Sequence, residues 1–196
     1  MRSDRIDGAL SFLEVLDRFK SVYQASYLAD GSRREGDADH AWHMCLFAML
    51  LHGESDLEPD LRRVLELCLV HDLVEIGAGD TDAHDAEGQK NKRGREERAA
   101  DELFSLLPED LGRWLRGLWD EFEEAETPEA RFARAMDRLQ ALAQNVFARG
   151  RSWRERNVTE EMTRALNSSG AVDLDPSLAP VFGALLDRAR REGMWG

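Results

Sequence analysis

The sequence predicts an all-α fold, a compact single-domain bundle of helices. Along most of the chain, apolar residues recur at the spacing of one face of an amphipathic helix. No stretch of alternating apolar and polar residues is long enough to predict a β-strand. The length of 196 residues corresponds to about one domain, and neither an internal repeat nor a long linker divides the chain.

Each helix is predicted by an apolar repeat, and several carry a start or stop signal. The third helix opens at Glu58-Pro59 and stops at Gly77, and a later one starts at the capping dipeptide Thr127-Pro128 and ends at Gly150. The polar, aperiodic stretch 81–94 predicts a loop. The predicted helices, of which the second is expected to be heavily buried, are about 10–23, 42–51, 58–76, 96–107, 114–122, 128–147, 159–166 and 178–190.

The composition excludes two classes of partner. A formal net charge of -13 and a pI near 4.8 argue against a nucleic-acid polymer and against an anionic membrane, because both attract a basic surface. The N-terminal residues are acidic where a signal peptide is apolar, and no apolar run approaches membrane-spanning length. We therefore expect a cytoplasmic protein in which Cys45 and Cys68 are reduced thiols in the core.

The dipeptide His71-Asp72 lies in the almost wholly apolar segment 64–75. Burying such a pair is costly unless it has a charged partner or binds a metal. On a helix the two side chains are about 100° apart, so both reach one ion only in a groove between helices. His40 and Asp137 complete a set of two imidazoles and two carboxylates. Such a mixed set suits Mn, Fe, Co, Ni or Zn better than calcium.

Each of these residues alone also has a structural interpretation. A single histidine on a helix is more often hydrogen-bonded than metal-bound, and Asp137 can pair with Arg134 or Arg138 instead. His43 is an alternative ligand, although we favour a structural role for it. The dipeptide His84-Asp85 lies in the polar loop without an apolar helix around it, and we interpret it as a coincidence.

The order His40, His71-Asp72, Asp137 resembles the H…HD…D signature of the HD-domain metal-dependent phosphohydrolases. Two coupled motifs extend the resemblance. The run from Arg33 to Trp42 is similar to the R-x-E-x-x-x-[DE]-H-x-W motif of one branch, and His71 to Glu75, followed by Gly79-Asp80, looks like its HDxxE…GD element. That branch contains the 5'-deoxynucleotidases, and the resemblance covers roughly residues 12–145.

The resemblance implies an HD-type domain that acts on a small-molecule nucleotide or another phosphate ester. It implies one divalent ion per chain, with Mn, Co, Fe, Ni, Zn or Mg as candidates. The expected organisation is a single domain over 1–196, with a catalytic core at about 12–147 and a C-terminal helical extension at about 154–196. A homodimer and a monomer both stay open. The implied metal ligands are His40, His71, Asp72 and Asp137.

The resemblance also implies catalytic and substrate-binding roles. Glu75 would accept a proton from the attacking water, and Asp80 would contact the bridging or leaving oxygen or supply its proton. Arg33 is expected as a second phosphate contact. Trp42 is expected beside the substrate, where it could help to exclude a 2'-hydroxyl.

Two departures limit the choice of nucleotide. The stretch 24–27 stands where bacterial deoxynucleotidases place an Arg-Trp pair, and Gly36-Asp37 replaces a more usual Ser-Val or Asn-Val. One alternative is a guanosine-tetraphosphate hydrolase, or another nucleotide phosphodiester or pyrophosphate hydrolase with the same core. Another is a catalytically silent helical module that binds nucleotides, although Glu75 and Asp80 weigh against it because binding needs no general base.

Overall fold

The computed structural model describes residues 2–81 and 86–195, and most of these residues are helical, as predicted. Short 3₁₀ turns at Asp17–Ser21, His52–Glu54 and Pro176–Leu178, and a π-helical turn at Ser168–Val172, link some of the helices. The α-helices are α1 (Arg2–Leu16), α2 (Asp37–Leu51), α3 (Leu61–Val70), α4 (Glu75–Ala78), α5 (Ala86–Gln89), α6 (Lys92–Phe104), α7 (Glu109–Glu124), α8 (Pro128–Phe147), α9 (Arg151–Glu155), α10 (Glu160–Asn167) and α11 (Ala179–Arg191).

Helix α8 is the central element of the bundle and packs against α2, α3, α7 and α11. The Thr127 side chain accepts a hydrogen bond from the backbone N–H of Ala130, which confirms the predicted start of this helix. The apolar stripe predicted for this helix is almost entirely buried, so one face of α8 forms the middle of the core. Its buried members are Phe132, Ala135, Met136, Leu139, Leu142, Ala143 and Val146.

A short antiparallel hairpin was not predicted from the sequence. It pairs β1 (Tyr23–Tyr27) with β2 (Arg34–Gly36), in a register that sets Tyr23 opposite Gly36 and Tyr27 opposite Arg34. Its buried positions include Ser26 and Glu35, which hydrogen-bond to each other. Because polar residues occupy positions where a strand usually has apolar ones, the period-two pattern is absent.

The helix predicted over 58–76 is interrupted after Val70. His71 caps α3, and the chain then makes a tight turn in which Leu73 and Glu75 donate backbone hydrogen bonds to the carbonyls three residues earlier. Helix α4 therefore starts at Glu75 and ends where Gly79 takes a φ of 73°. The expectation of one continuous helix over 58–76 is therefore wrong, because the turn at His71 and Asp72 divides it.

Two further differences concern α6 and α2. Helix α6 starts at Lys92, inside the predicted loop, because the pairs Lys92–Glu96 and Arg93–Glu97 stabilise its first turns. Helix α2 is less buried than predicted, since Trp42 is 62% exposed. The apolar run thus predicted the helix correctly, but it did not predict how much of the helix surface is buried by the rest of the protein.

No described helix is long and apolar enough to cross a membrane. Cys45 and Cys68 are both free; Cys68 is buried and Cys45 partly buried. The division into a core at about 12–147 and an extension at about 154–196 stays a prediction.

Gly150 fixes the path of the chain after α8. Its φ is 66°, and a Cβ there would meet the carbonyl oxygen of Met194 and lie 2.7 Å from the Met194 Cβ. Replacing Gly150 with Ala is expected to lower the free energy of unfolding by about 2–4 kcal/mol, through left-handed backbone strain and overpacking. Denaturant unfolding measures this loss.

Gly183 provides a matched control for that substitution. It lies in α11, and a Cβ there would have no neighbour within 4 Å. Gly183→Ala should therefore raise the free energy of unfolding by up to about 1 kcal/mol through helix propensity. Equal stability of the Gly150→Ala variant and the native chain would contradict the close approach to Met194.

Candidate metal centre

Three parts of the chain bring four potential ligands together. His40 lies in the first turn of α2, His71 and Asp72 follow α3, and Asp137 lies in α8. His40, His71 and Asp72 each offer a ligand atom within 4.8 Å of those of the other two, and Asp137 Oδ1 is 3.3 Å from His40 Nε2. The four residues expected from the sequence to lie together are therefore adjacent in space.

The turn after Val70 sets the geometry of the pair His71 and Asp72. It allows consecutive side chains to approach the same point, with Asp72 Oδ2 2.9 Å from His71 Nε2 and 3.8 Å from His40 Nε2. The two imidazole rings have centroids 5.3 Å apart. Both histidines are buried, so the cluster faces little solvent.

Hydrogen bonds at Nδ1 fix the orientation of both imidazoles. His71 Nδ1 donates to the backbone carbonyl of Cys68 at 2.9 Å, and His40 Nδ1 lies 2.6 Å from Gln140 Oε1, to which it donates. Neither Nε2 atom has a partner with hydrogen-bonding geometry among the described residues. Two buried Nε2 atoms directed toward two carboxylates are the arrangement by which histidines bind a metal.

A series of buried hydrogen bonds extends from the Nδ1 side of His40 into the protein. Gln140 Nε2 donates to Glu35 Oε1 at 2.7 Å, and Ser26 Oγ donates to Glu35 Oε2 at 2.7 Å. Since the Gln140 amide nitrogen is committed to Glu35, its oxygen faces the imidazole. The β-hairpin therefore determines which ring nitrogen of His40 is left for a ligand.

The electrostatics of the cluster fit a cation. Burial disfavours protonation of His40, yet contact with Asp137 and the charge of Asp72 raise its pKa to about 10. Burial alone would raise the pKa of Asp137, but His40 and the neighbouring Arg138 hold that pKa below its ordinary range. The carboxylates thus stabilise a positive charge between the side chains of the cluster, and a divalent cation can take the place of the proton on His40.

Glu75 lies beside this cluster and is 3% exposed. Burial, then the charges of Asp72 and Asp80, raise its pKa to about 12. Asp37 is fully buried nearby and accepts a hydrogen bond from Gln24 Nε2 at 3.1 Å; burial and the charge of Asp72 raise its pKa to about 7. The surroundings of Glu75 thus give its carboxylate a high affinity for a proton.

A cavity of about 140 Å³ opens beside the cluster. Asp72, Glu75, Asp80 and Asp137 lie along one end of it. Lys92 and Arg138 line the same end and supply positive charge in a strongly acidic protein.

The expected substrate contacts Arg33 and Trp42 are not among the residues that line this cavity. Arg33 instead donates to Asp39 at 2.7 Å, and Asp39 also accepts from the backbone N–H of Gly36, so this arginine supports the start of α2. Trp42 stacks on His43 on the exposed side of the same helix. The structure does not bring either side chain to the metal centre.

The two other histidines considered as candidates have separate positions. His43 Nδ1 accepts from Gln140 Nε2 at 3.2 Å and is not in the ligand cluster, which agrees with a structural role. The dipeptide His84-Asp85 lies outside the described residues.

The sequence interpretation did not identify Lys92, Arg138 or Gln140 as parts of the site. Lys92 carries no recognisable signal of this role, because it lies in a stretch that looks like a polar loop. Arg138 was considered only as a partner of Asp137. In the structure the Arg138 Nε lies 3.9 Å from the Asp137 Oδ2. Gln140 did carry a signal, since a polar residue four positions after Met136 falls on the buried face of α8.

Comparison with known proteins agrees with this geometry. Residues 16–171 match the HD domain family. The mouse protein 5'-deoxynucleotidase HDDC2 is 33% identical over 138 residues, which are 70% of this chain and 68% of that protein. The human protein of the same name is 33% identical over 136 residues, 69% of this chain and 65% of its own length, so the matched part spans about two thirds of these relatives.

Solved structures show the same fold. The crystal structure of a predicted metal-dependent phosphohydrolase from Magnetospirillum magnetotacticum superposes with a TM-score of 0.85 at 39% identity and covers 98% of both chains. A conserved hypothetical protein from Pyrococcus furiosus superposes with a TM-score of 0.60 at 21% identity and shares the fold alone. The four clustered residues agree with the family match, and that match, over most of its length, shows that the chain belongs to the HD domain family.

Proposed function

We propose that this protein is a metal-dependent phosphohydrolase that releases phosphate from deoxynucleoside 5'-monophosphates. The observation that carries the proposal is the cluster of two imidazole Nε2 atoms and two carboxylates beside a cavity whose lining includes Lys92 and Arg138. The names of the mouse and human relatives, both 5'-deoxynucleotidases, support the choice of substrate.

One divalent ion per chain is proposed at this centre, with Mn, Co, Fe, Ni, Zn and Mg as candidates. When bound, the ion supplies a water of lowered pKa and polarises a phosphate oxygen. The chain contributes a mixed nitrogen and oxygen donor set whose histidines are already oriented by their Nδ1 hydrogen bonds. The proposed ligands are His40, His71, Asp72 and Asp137.

The remaining groups of the site have separate proposed tasks. Glu75 takes up the proton of the attacking water, because it lines the cavity beside the proposed ligands and a bound divalent ion would offset the carboxylate charges that raise its pKa. Asp80 lines the same cavity and hydrogen-bonds or protonates the leaving oxygen. Lys92 and Arg138 bind the non-bridging phosphate oxygens, a task that the sequence had suggested for Arg33.

The proposal includes the setting in which the protein works. The substrate is a small nucleotide, and the strongly negative charge disfavours a nucleic-acid polymer or an anionic membrane as partner. We place the protein in the cytoplasm, as one HD-type domain. A homodimer is compatible with this proposal and is not required by it.

A screen of metals against substrates tests the proposal. We expect phosphate release from several deoxynucleoside 5'-monophosphates at rates within about tenfold of one another, because the names of the relatives specify the sugar and the 5'-phosphate but no base. The corresponding ribonucleotides should be slower. The measurement is phosphate release from apoprotein reconstituted with each divalent ion in turn.

Two outcomes of the screen would change the assignment. Equal kcat/KM for dAMP and AMP would remove the deoxy-specific part of the proposal and leave a general nucleotidase. Activity confined to guanosine tetraphosphate or to a phosphodiester would replace it with the alternative hydrolase. A protein without metal and without turnover on any substrate would be a silent binding module.

A further inference from the structure

Helix α8 lines the cavity beside the metal centre from Asp137 and Arg138 to Asn145, about two turns later, and the two ends of the cavity differ. Its metal end is charged, with the acidic cluster and the cations Lys92 and Arg138. The residues opposite come from the last part of the chain and form what we call the C-terminal wall. The C-terminal wall consists of Ser152, Trp153, Arg156, Val158, Thr163, Leu166 and Asn167.

The polar groups of the C-terminal wall are largely satisfied within the protein. Asn167 Nδ2 donates to the Thr163 carbonyl at 2.7 Å, and Thr163 Oγ1 donates to Thr159 and accepts from Trp195 Nε1. Ser152 Oγ donates to Asn145, whose own amide nitrogen donates to the backbone of α8. Ser152, Thr163 and Asn167 are neutral, and few of their donors remain for a ligand. Arg156, the charged member of the wall, already has an interaction within the protein.

The apolar part of the wall completes a surface suited to a ring. Trp153 and Val158 are largely buried and line the cavity, as do Leu142 of α8 and Leu166 of α10. Such a surface, with polar groups already paired, accepts a flat neutral group by its shape. Hydrogen-bond donors and acceptors on the edge of that group would add little to the binding free energy.

A second cavity also borders the cluster but suits a neutral ring poorly. Its lining includes Arg93, Glu96, Glu123 and Arg134 besides Lys92. A ring placed there would remove water from several charged groups without offering them a partner, which is costly. Of these two cavities, the one that contains the C-terminal wall is therefore the more favourable for a neutral ring.

We propose that the C-terminal wall is the nucleobase subsite, and that it binds the base by shape with little preference among the four bases. This inference rests on the proposed function, since it takes the phosphate to be bound at the metal end. It assigns a binding task to the predicted extension, whose helix α10 supplies Thr163, Leu166 and Asn167.

Substitution of Leu166 tests the subsite. Leu166→Trp fills the space before the wall and is expected to raise KM for dAMP and dCMP by about tenfold or more. Leu166→Ala, which removes contacts without crowding the fold, should raise both KM values by about threefold or more. The probe without a base is 2-deoxyribose 5-phosphate, used as a substrate or, where it is not turned over, as a competitive inhibitor. Its kinetic constants should change less than about twofold, because it does not reach the wall.

Met162 gives the matched control. It lies on α10 like Leu166 but is exposed and does not line the cavity, so Met162→Trp and Met162→Ala should leave every constant unchanged. Parallel losses on nucleotides and on 2-deoxyribose 5-phosphate in both Leu166 variants would show a structural effect and overturn the subsite. Native KM values in both variants would overturn it as well. Absence of any hydrolysis by the native protein would instead contradict the proposed function.

Discussion

Replacing His71 or Asp72 with Ala is expected to abolish metal binding and to lower phosphate release by at least about 10³-fold. Each substitution removes one of four proposed ligands, and a bound metal contributes several kcal/mol of transition-state stabilisation. His71 Nε2 and Asp72 Oδ2 lie 2.9 Å apart, so either substitution removes a donor atom from the same place. Metal content after reconstitution, measured by elemental analysis, and phosphate release test this directly.

The same variants should remain folded. The His71 ring packs against Phe122 with centroids 4.8 Å apart, so its truncation leaves a small cavity but breaks no helix. A far-ultraviolet circular dichroism spectrum with native helix content is therefore expected. If either variant still binds a stoichiometric metal ion, the residue concerned is not a ligand.

His52 provides a control for the loss of an imidazole. Its Nε2 lies 2.7 Å from the carbonyl of Pro59, its ring contacts Phe132, and it is not in the ligand cluster. His52→Ala should therefore cost stability through a lost hydrogen bond and packing, yet retain both metal and turnover. A loss of metal in this variant would show that the centre responds to general loosening of the bundle.

The ligands were predictable because burial of charge is costly wherever it occurs. His71 and Asp72 interrupt an apolar segment, and Asp137 borders the longest apolar stripe, so the sequence itself marks them as groups that need a partner. The start of α8 was predictable for a local reason, since Thr127 and Pro128 act on the backbone within one turn.

The hairpin and the cations depend on contacts between distant parts of the chain. Ser26 and Glu35 are buried because Gln140, 105 residues after Glu35, satisfies the carboxylate. Lys92 reaches the cavity only because α6 begins earlier than its composition suggests. No local pattern encodes such contacts, and the same limit explains why Arg33 and Trp42 were placed at the substrate on resemblance alone.

Glu75→Gln is expected to keep the metal and to lower kcat by about 10²–10⁴-fold, the usual contribution of a general base. Glutamine keeps the size of the side chain but cannot take up a proton, so the substitution separates proton transfer from packing. Glu75 is not in the ligand cluster, and it lines the cavity together with the proposed ligands Asp72 and Asp137, where an attacking water would lie. Metal content and single-turnover phosphate release measure the two effects separately.

The outcome for Glu75 depends on comparison with a carboxylate that has no part in the cluster. Glu121 is largely shielded and pairs with Arg63, so Glu121→Gln should lower stability without changing kcat.

In Glu75→Ala, added formate should restore part of the turnover, because a small carboxylate can occupy the vacated space and accept the proton. Native kcat in Glu75→Gln would make Glu75 a structural residue. Loss of metal in that variant would instead place Glu75 among the groups that hold the ion.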